Sequence, residues 1–334
     1  MVAWRPMRIA AIEVSHWHSL YDAAYLRILA DIPDVQIVGL HDPSPDIAAR
    51  RAAVVGHPPV FTDHREMLAR TKPDFVVALG QHRRMAQTAH DLLDASVPFM
   101  MEKPMGVNAA EVAGIAERAA AKNAFVAVPL PQRHSPFVAR ARQLLAEGRF
   151  GPLSHLYLRL NRPTSARYPA WDSPWMLDPA LAGGGCVRNL GSHCFDLFLL
   201  LTGEEATVTA AQLSARALGQ RVEDYASVQL RTAGGVLGTI ELGNTVPYAG
   251  SDGEFKLAGR DAILVGYHDD TLRLITAAGE ETTTAPPAAP LYPTAVRDIL
   301  DHWRRGSPPP VGVHDLVRVV RLIDQAYERA GRTT

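Results

Sequence analysis

Cysteine is nearly missing from this chain. Its 334 residues include two, Cys186 and Cys194. Two thiols make no disulfide framework, and their spacing fits no zinc pattern, so no metal site is expected from them. A reducing, cytoplasmic compartment is the expectation. Long apolar runs are missing as well. Even "CFDLFLLLTG" falls well short of the roughly 20 residues of a membrane span. The opening "MVAWRPMR" has neither a long apolar core nor a small-residue cleavage site, so no secretory leader is expected. Neither sign of charge dominates: Lys plus Arg is 34 against Asp plus Glu 35. Without a basic stripe or a polybasic segment, nucleic acid and membrane surfaces are not expected partners.

Glycine is missing from one telling place. "RIAAIEVSHWHS", residues 8 to 19, runs an apolar strand into a turn and then a helical pattern, as a dinucleotide-binding domain begins. The glycine fingerprint there serves a tight turn, close approach to pyrophosphate and helix–strand packing. The aligned positions are Glu13, Ser15 and His18, none of them glycine. Backbone N–H groups at the helix start remain available in principle, with Ser15, His16 and His18 as side-chain donors. Glu13 would oppose an anion unless it turned away. The bland reading of "HWH" is a packed loop.

What is present divides the chain in two. Up to about residue 126, apolar runs at 8–14, 35–42, 58–63, 74–80 and 98–102 alternate with helical stretches at 19–31, 44–54, 64–71, 83–95 and 108–122. Strands buried on both faces read as continuous apolar runs, and alternation with helices predicts a doubly wound parallel sheet. Asn108 and Glu111 form a capping-box pattern. From 127 to 334 one helix at "SPFVARARQLLAEGRFG" precedes period-2 stretches at 154–160, 207–215, 224–232, 235–243, 254–259, 262–267 and 271–276. These predict an antiparallel sheet with one wet face. A Pro/Ala linker is expected over 284–293, then helices at about 294–305 and 313–330.

Three places carry chemistry. Asp42 ends the second strand, where an acid either binds ribose hydroxyls and repels a 2′-phosphate or caps the next helix. Lys103 lies in "PFMMEKPMG", at the carboxyl end of a strand and before a proline that fixes its direction. In "WMLDPALAGGGCVRNLGSHCFD" three glycines imply close backbone approach. A helix from about Asn189 would align Asn189, His193, Asp196 and Leu197 on one face, with His193 a proton acceptor near neutrality.

"EKPMG" followed by "GGGCVRNLGSHCFD" resembles the Gfo/Idh/MocA oxidoreductases, and the likeness extends over nearly the whole chain through "EFKLAGRDAILVG" and "VHDLVRVVRLIDQAYERA". The resemblance implies an N-terminal α/β Rossmann domain (1–126). It also implies an α+β C-terminal domain (127–334) with a large open, mostly antiparallel sheet through which a dimer or tetramer forms. It implies NAD, with NADP less favoured, and a secondary alcohol of a sugar, cyclitol or related polyol as substrate. Lys103 would hold the reacting hydroxyl and His193 would be the base. Asn189 stands where the family usually has aspartate, and would hold His193. Cofactor contacts are implied at Val14, Ser15, His16, Trp17, Asp42, Leu79, Gly80, Gln81, Glu102 and Lys103. Arg133, Trp175 and Asp172 fall on the substrate side, Asp172 and Asp178 being substitutes for the missing carboxylate. Two alternatives stand beside the dehydrogenase: a binding or regulatory protein with its chemistry retired, and an enzyme using tightly bound NAD without net redox.

Overall fold

The structure is a computed structural model that describes residues 5–284 and 290–332. Six strands form the first sheet: β1 (Met7–Ile12), β2 (Val35–His41), β3 (Val60–Phe61), β4 (Phe75–Ala78), β5 (Phe99–Met101) and β6 (Val126–Ala127). All pair in parallel, in the order β3-β2-β1-β4-β5-β6. Helices α1 (Tyr25–Ala30), α2 (Pro45–Val54), α3 (His64–Thr71), α4 (His82–Asp94) and α5 (Ala109–Ala121) connect them. Buried β4 and β5 are uninterrupted apolar runs, and β1 is broken only by half-buried Arg8, as a sheet covered on both faces requires. The order reverses between β1 and β4, which opens the crevice where doubly wound sheets bind ligands.

The expected helix over 19–31 is the main departure in this half. A short 3-10 turn at Trp17–Ser19 comes first, and α1 begins only at Tyr25. Between them Asp22 and Ala24 take left-handed backbone (φ 49° and 52°), so the chain cannot continue helically. The capping at Asn108 follows expectation, its side chain accepting from Glu111 N at 2.9 Å.

Helix α6 (Pro136–Ala146) leads to the second sheet. Its strands are β7 (Leu153–Pro163), β8 (Ala206–Ser214), β9 (Tyr225–Thr232), β10 (Leu237–Val246), β11 (Asp252–Gly259), β12 (Ala262–Tyr267), β13 (Thr271–Thr276) and β14 (Gly279–Thr284). Their order is β14-β13-β12-β11-β7-β10-β9-β8, antiparallel except for the parallel pair β7–β10. Between β7 and β8 come α7 (Arg167–Ala170), α8 (Pro179–Ala182) and α9 (Cys186–Thr202); α10 (Leu291–Arg304) and α11 (Val313–Arg329) close the fold. Of the expected linker over 284–293, Thr284 ends β14 and α10 starts at Leu291, while 285–289 lie outside the described residues. No helix among the described residues is long and apolar enough to cross a membrane.

Helix α9 starts at Cys186, three residues before the expected start, and is buried over nearly its whole length. The three glycines ahead of it explain how. A Cβ on Gly184 would lie 1.9 Å from the Tyr327 hydroxyl, and one on Gly185 would lie 2.1 Å from the Glu223 carbonyl. Buried Glu223 then accepts from Gly185 N, Val187 N and the Tyr327 hydroxyl at 2.8, 3.1 and 2.7 Å. A carboxylate therefore satisfies the helix's free N–H groups and opposes its positive end. That anchor fixes where the following turns of α9 point.

Candidate functional site

Lys103 and His193 line one cavity of about 280 Å³ with Trp17, His18, Asp22, Gln132, Arg162, Arg167, Asn189 and Tyr292. Lys103 leaves the end of β5 before a cis Lys103–Pro104 bond. Its ammonium donates to the carbonyl oxygen of Asn189 at 2.9 Å and to Oδ1 of the same residue at 2.6 Å. An ammonium has three donors, so two fix it and the third is left for a ligand. Burial pushes the Lys103 pKa down against the opposing pull of Glu102.

This places Asn189 differently from expectation. Its side chain holds Lys103, not His193, and its Nδ2 donates to the Tyr168 hydroxyl at 2.8 Å. One helical turn on, His193 lines the same cavity, and its Nδ1 is buried without a partner. Burial, then the Lys103 charge, pushes His193 down to about 3. The imidazole is therefore neutral at physiological pH, with an unpartnered ring nitrogen. The proposed substitutes do not reach it: Asp172 pairs with Arg50 and Arg51, and Asp178 caps α8 through Ala180 N.

Glu102 lies behind Lys103, its Oε2 4.0 Å from the ammonium. Its Oε1 accepts from His18 Nδ1 at 3.0 Å and from the Tyr25 hydroxyl. Burial alone would raise its pKa, but His18 and Lys103 outweigh it and hold the carboxyl well below the usual range. Delaying α1 to Tyr25 is what brings that hydroxyl to Glu102. Neither His18 nor Tyr25 was singled out as a partner of Glu102 from sequence, because their contacts span 84 and 77 residues.

The crevice between β1 and β4 is held by side chains. Glu13 (φ 55°) turns its carboxylate onto Gln81 N and Arg84, both at 2.9 Å, beside Gly80, and Leu79 N donates to Ile12 O. Asp42 accepts from Ser15 N at 2.6 Å and Ser44 N at 3.0 Å, tying the first turn to the end of β2. Val14 N, His16 N and Ser19 N donate to backbone oxygens, and His18 N to His16 Nδ1. Those amides are engaged within the turn as it stands.

The segment 164–178 lies over the same turn. Trp171 stacks on Tyr21 (5.0 Å, 7°), Trp175 approaches His16, Trp17 and His82 within 6 Å, Ser173 Oγ donates to Ser15 O, and Asp172 holds Arg51. Trp175 and Asp172 thus sit over the crevice and outside the Lys103 cavity. Arg133 is also outside it: its guanidinium makes a bidentate pair with Asp196 at 2.6 and 2.8 Å, and its neighbour Gln132 faces the cavity.

A dinucleotide finds suitable groups at the inner end of this crevice. Buried His16 Nε2, His82 Nε2, Glu102 Oε2 and His193 Nδ1 all lack partners. They come from the first turn, the start of α4, the end of β5 and α9, and are donors and acceptors of the kind a nicotinamide amide would need. At the outer end Asp42 closes β2, its two carboxylate oxygens taken by Ser15 N and Ser44 N.

Residues 19–130 match the family model described as an oxidoreductase family with an NAD-binding Rossmann fold, and 138–265 match the GFO/IDH/MocA C-terminal domain. Trans-1,2-dihydrobenzene-1,2-diol dehydrogenase of Sus scrofa is 29% identical over 232 residues, 65% of either chain. Its Bos taurus counterpart is 31% identical over 55% of either chain. The alignments thus span between about half and two thirds of these curated relatives. The NADP(+) scyllo-inositol 2-dehydrogenase of Bacillus subtilis is 26% identical over 71% of both. Among solved structures, levoglucosan dehydrogenase with NADH and levoglucosan superposes with a TM-score of 0.83 at 20% identity, over 98% of both chains. Aldose-aldose oxidoreductase from Caulobacter crescentus gives 0.82 at 18%, over 99% of both. At such identities these two structures attest the shared fold alone.

Proposed function

We propose that this chain, which belongs to the GFO/IDH/MocA oxidoreductase family, is an NAD-dependent dehydrogenase or reductase acting on a secondary alcohol or ketone of a sugar, cyclitol or related polyol. The observation that carries the reading is the Lys103 ammonium, tied twice to Asn189 with its third donor free, in one cavity with a neutral His193. Val14, Ser15, His16, Trp17, Asp42, Leu79, Gly80, Gln81 and Glu102 would hold the cofactor, whose nicotinamide supplies the hydride acceptor or donor when bound. Lys103 donates to the substrate oxygen and stabilises charge that develops on it. His193 takes the hydroxyl proton at a ring nitrogen during oxidation and returns it during reduction. Trp17 and Tyr292 supply aromatic surface to the cavity wall.

NAD is favoured over NADP because Asp42 places a negative charge at the end of β2. Asp42→Asn keeps an acceptor for Ser15 N and removes the charge, so the ratio of NADPH to NADH affinity should rise. The relatives' printed names, a dihydrodiol, an inositol and levoglucosan, support a polyol substrate. Association through the open face of the second sheet and a cytoplasmic location, where both thiols stay reduced, complete the reading.

The test is absorbance at 340 nm with NAD and a panel of cyclitols and aldoses. His193→Ala should lower kcat by about 10²–10⁴, and Lys103→Ala should remove turnover while NADH still binds. Loss of NADH binding in Lys103→Ala would contradict the role assigned to it. A second reading, a ligand-binding protein with retired chemistry, is favoured by Glu13 lying across the crevice and by the engaged amides of the first turn. It predicts no turnover and no NADH binding.

A further inference from the structure

A second cavity of about 170 Å³ adjoins the Lys103 cavity, and the two share Gln132, Leu160, Arg162 and Leu291. It lies on the helix-covered side of the second sheet. Phe255 pairs in register with Leu158, Gly253 with Leu160 and Gly266 with Phe255, so one face of β7, β11 and β12 forms its floor. Phe137 at the start of α6 packs on Phe255 at 5.7 Å between centroids, and Tyr267 and Leu272 complete an apolar wall. Asp270 and His268 stand at its rim. Gly253 keeps it open where a side chain would otherwise project, and Gly266 lets Phe137 pack on the sheet, since a Cβ there would lie 2.8 Å from the Phe137 ring.

We propose that this chamber is a second substrate subsite, holding a ring carried as a substituent on the polyol that reacts between Lys103 and His193. The proposal rests on the reading of the Lys103 cavity as the polyol site. Aromatic walls bind the apolar faces of sugar or aryl rings, and a few polar groups at the rim orient them. Gln132 and Arg162 stand at the junction, where the bridging oxygen of a glycoside would pass. Arg162 is positioned there by Asp22 at 3.2 Å. The substrate class is therefore a glycoside of a polyol, glycosyl or aryl.

The experiment compares one-ring and two-ring probes by isothermal titration of the full chain with NADH present: D-glucose and myo-inositol against cellobiose and phenyl β-D-glucoside. A second ring should tighten binding by about tenfold, on the order of 1.4 kcal/mol. Gly253→Leu tests the location. A Cβ there meets nothing closer than 3.6 Å, so the backbone tolerates it and the side chain projects into the chamber. This variant should erase the two-ring advantage. Phe255→Ala, which removes a wall without adding bulk, should reduce that advantage independently.

A gain for cellobiose alone assigns the subsite to a glycosyl ring; an equal or larger gain for phenyl β-D-glucoside assigns it to an apolar ring face. Equal affinity for one- and two-ring probes, or an advantage that survives Gly253→Leu in a variant with wild-type melting behaviour, overturns the chamber alone. Failure of all four probes to bind counts against the reading of the Lys103 cavity as a polyol site, and the chamber falls with it.

Discussion

Lys103 is held by an amide where its relatives are expected to have a carboxylate, and this sets its chemistry. Burial lowers the Lys103 pKa, and Asn189 offers hydrogen bonds without a charge to counter the shift. Asn189→Asp puts a carboxylate against the ammonium, which favours its charged form. The alkaline limb of the pH–rate profile should therefore move to higher pH; an unmoved limb would show that residue 189 does not act through Lys103. The sequence singled out Lys103 at the end of a strand and His193 a turn into an apolar helix, the resemblance implied their roles, and the structure puts both in one cavity. Asn189 was assigned to the wrong partner, because i and i+4 on a helix are visible in a sequence and a contact across 86 residues is not. Arg133 was placed on the substrate side by the resemblance, and nothing local announces that Asp196 takes both ends of its guanidinium.

At the scale of elements, two segments decide access and aim. Segment 164–178 bridges to the first turn through Asp172–Arg51 and Ser173–Ser15, contacts that would gate a dinucleotide entering the crevice. Asp172→Ala should speed NADH association in stopped-flow fluorescence; slower or unchanged association would mean the segment does not gate entry. The glycine run before α9 sets the helix against Glu223. Gly185→Ala should cost about 2 kcal/mol or more by overpacking, read from the urea midpoint, because its Cβ would meet backbone. The strands at 262–267 and 271–276 were fully legible, the first as a short apolar run and the second because Leu272 and Leu274 alternate on one buried face. Strand β14 was not. All six of its residues are exposed, so it carries no alternation to read. Helix α1 was misread because its apolar pattern begins before the left-handed residues that interrupt it.

Across the whole molecule, buried neutral histidines bind both halves to a pH dependence. Burial is the largest cause of depression at His41, pushed down to about 4, and at His82 and His193, each pushed down to about 3. In the unfolded chain such rings titrate near about 6.5. As pH falls below that value the unfolded state takes up protons that the folded state refuses, so stability drops. Each ring contributes up to about 1.4 kcal/mol per pH unit until its folded pKa is reached. Glu102, depressed in the fold, loses its own contribution at lower pH still, in the same direction. Melting temperature should fall steadily from pH 6.5 to 4, and His82→Gln should flatten the curve; a flat wild-type profile would contradict neutral burial. The division into a parallel and a mostly antiparallel sheet was legible from periodicity, while the convergence of Lys103 and His193 on one cavity was expected from the resemblance and is what the structure shows. It depends on contacts such as Lys103–Asn189 that join the sheets.

The account stands on a dinucleotide lying beside Lys103 and His193 despite a first turn without glycine. Titrating the protein with NADH and following nicotinamide fluorescence tests this directly. Saturable binding in the micromolar range, with nicotinamide emission raised by energy transfer from nearby tryptophan and with binding retained in Lys103→Ala, is the predicted result. No binding at millimolar NADH would contradict it.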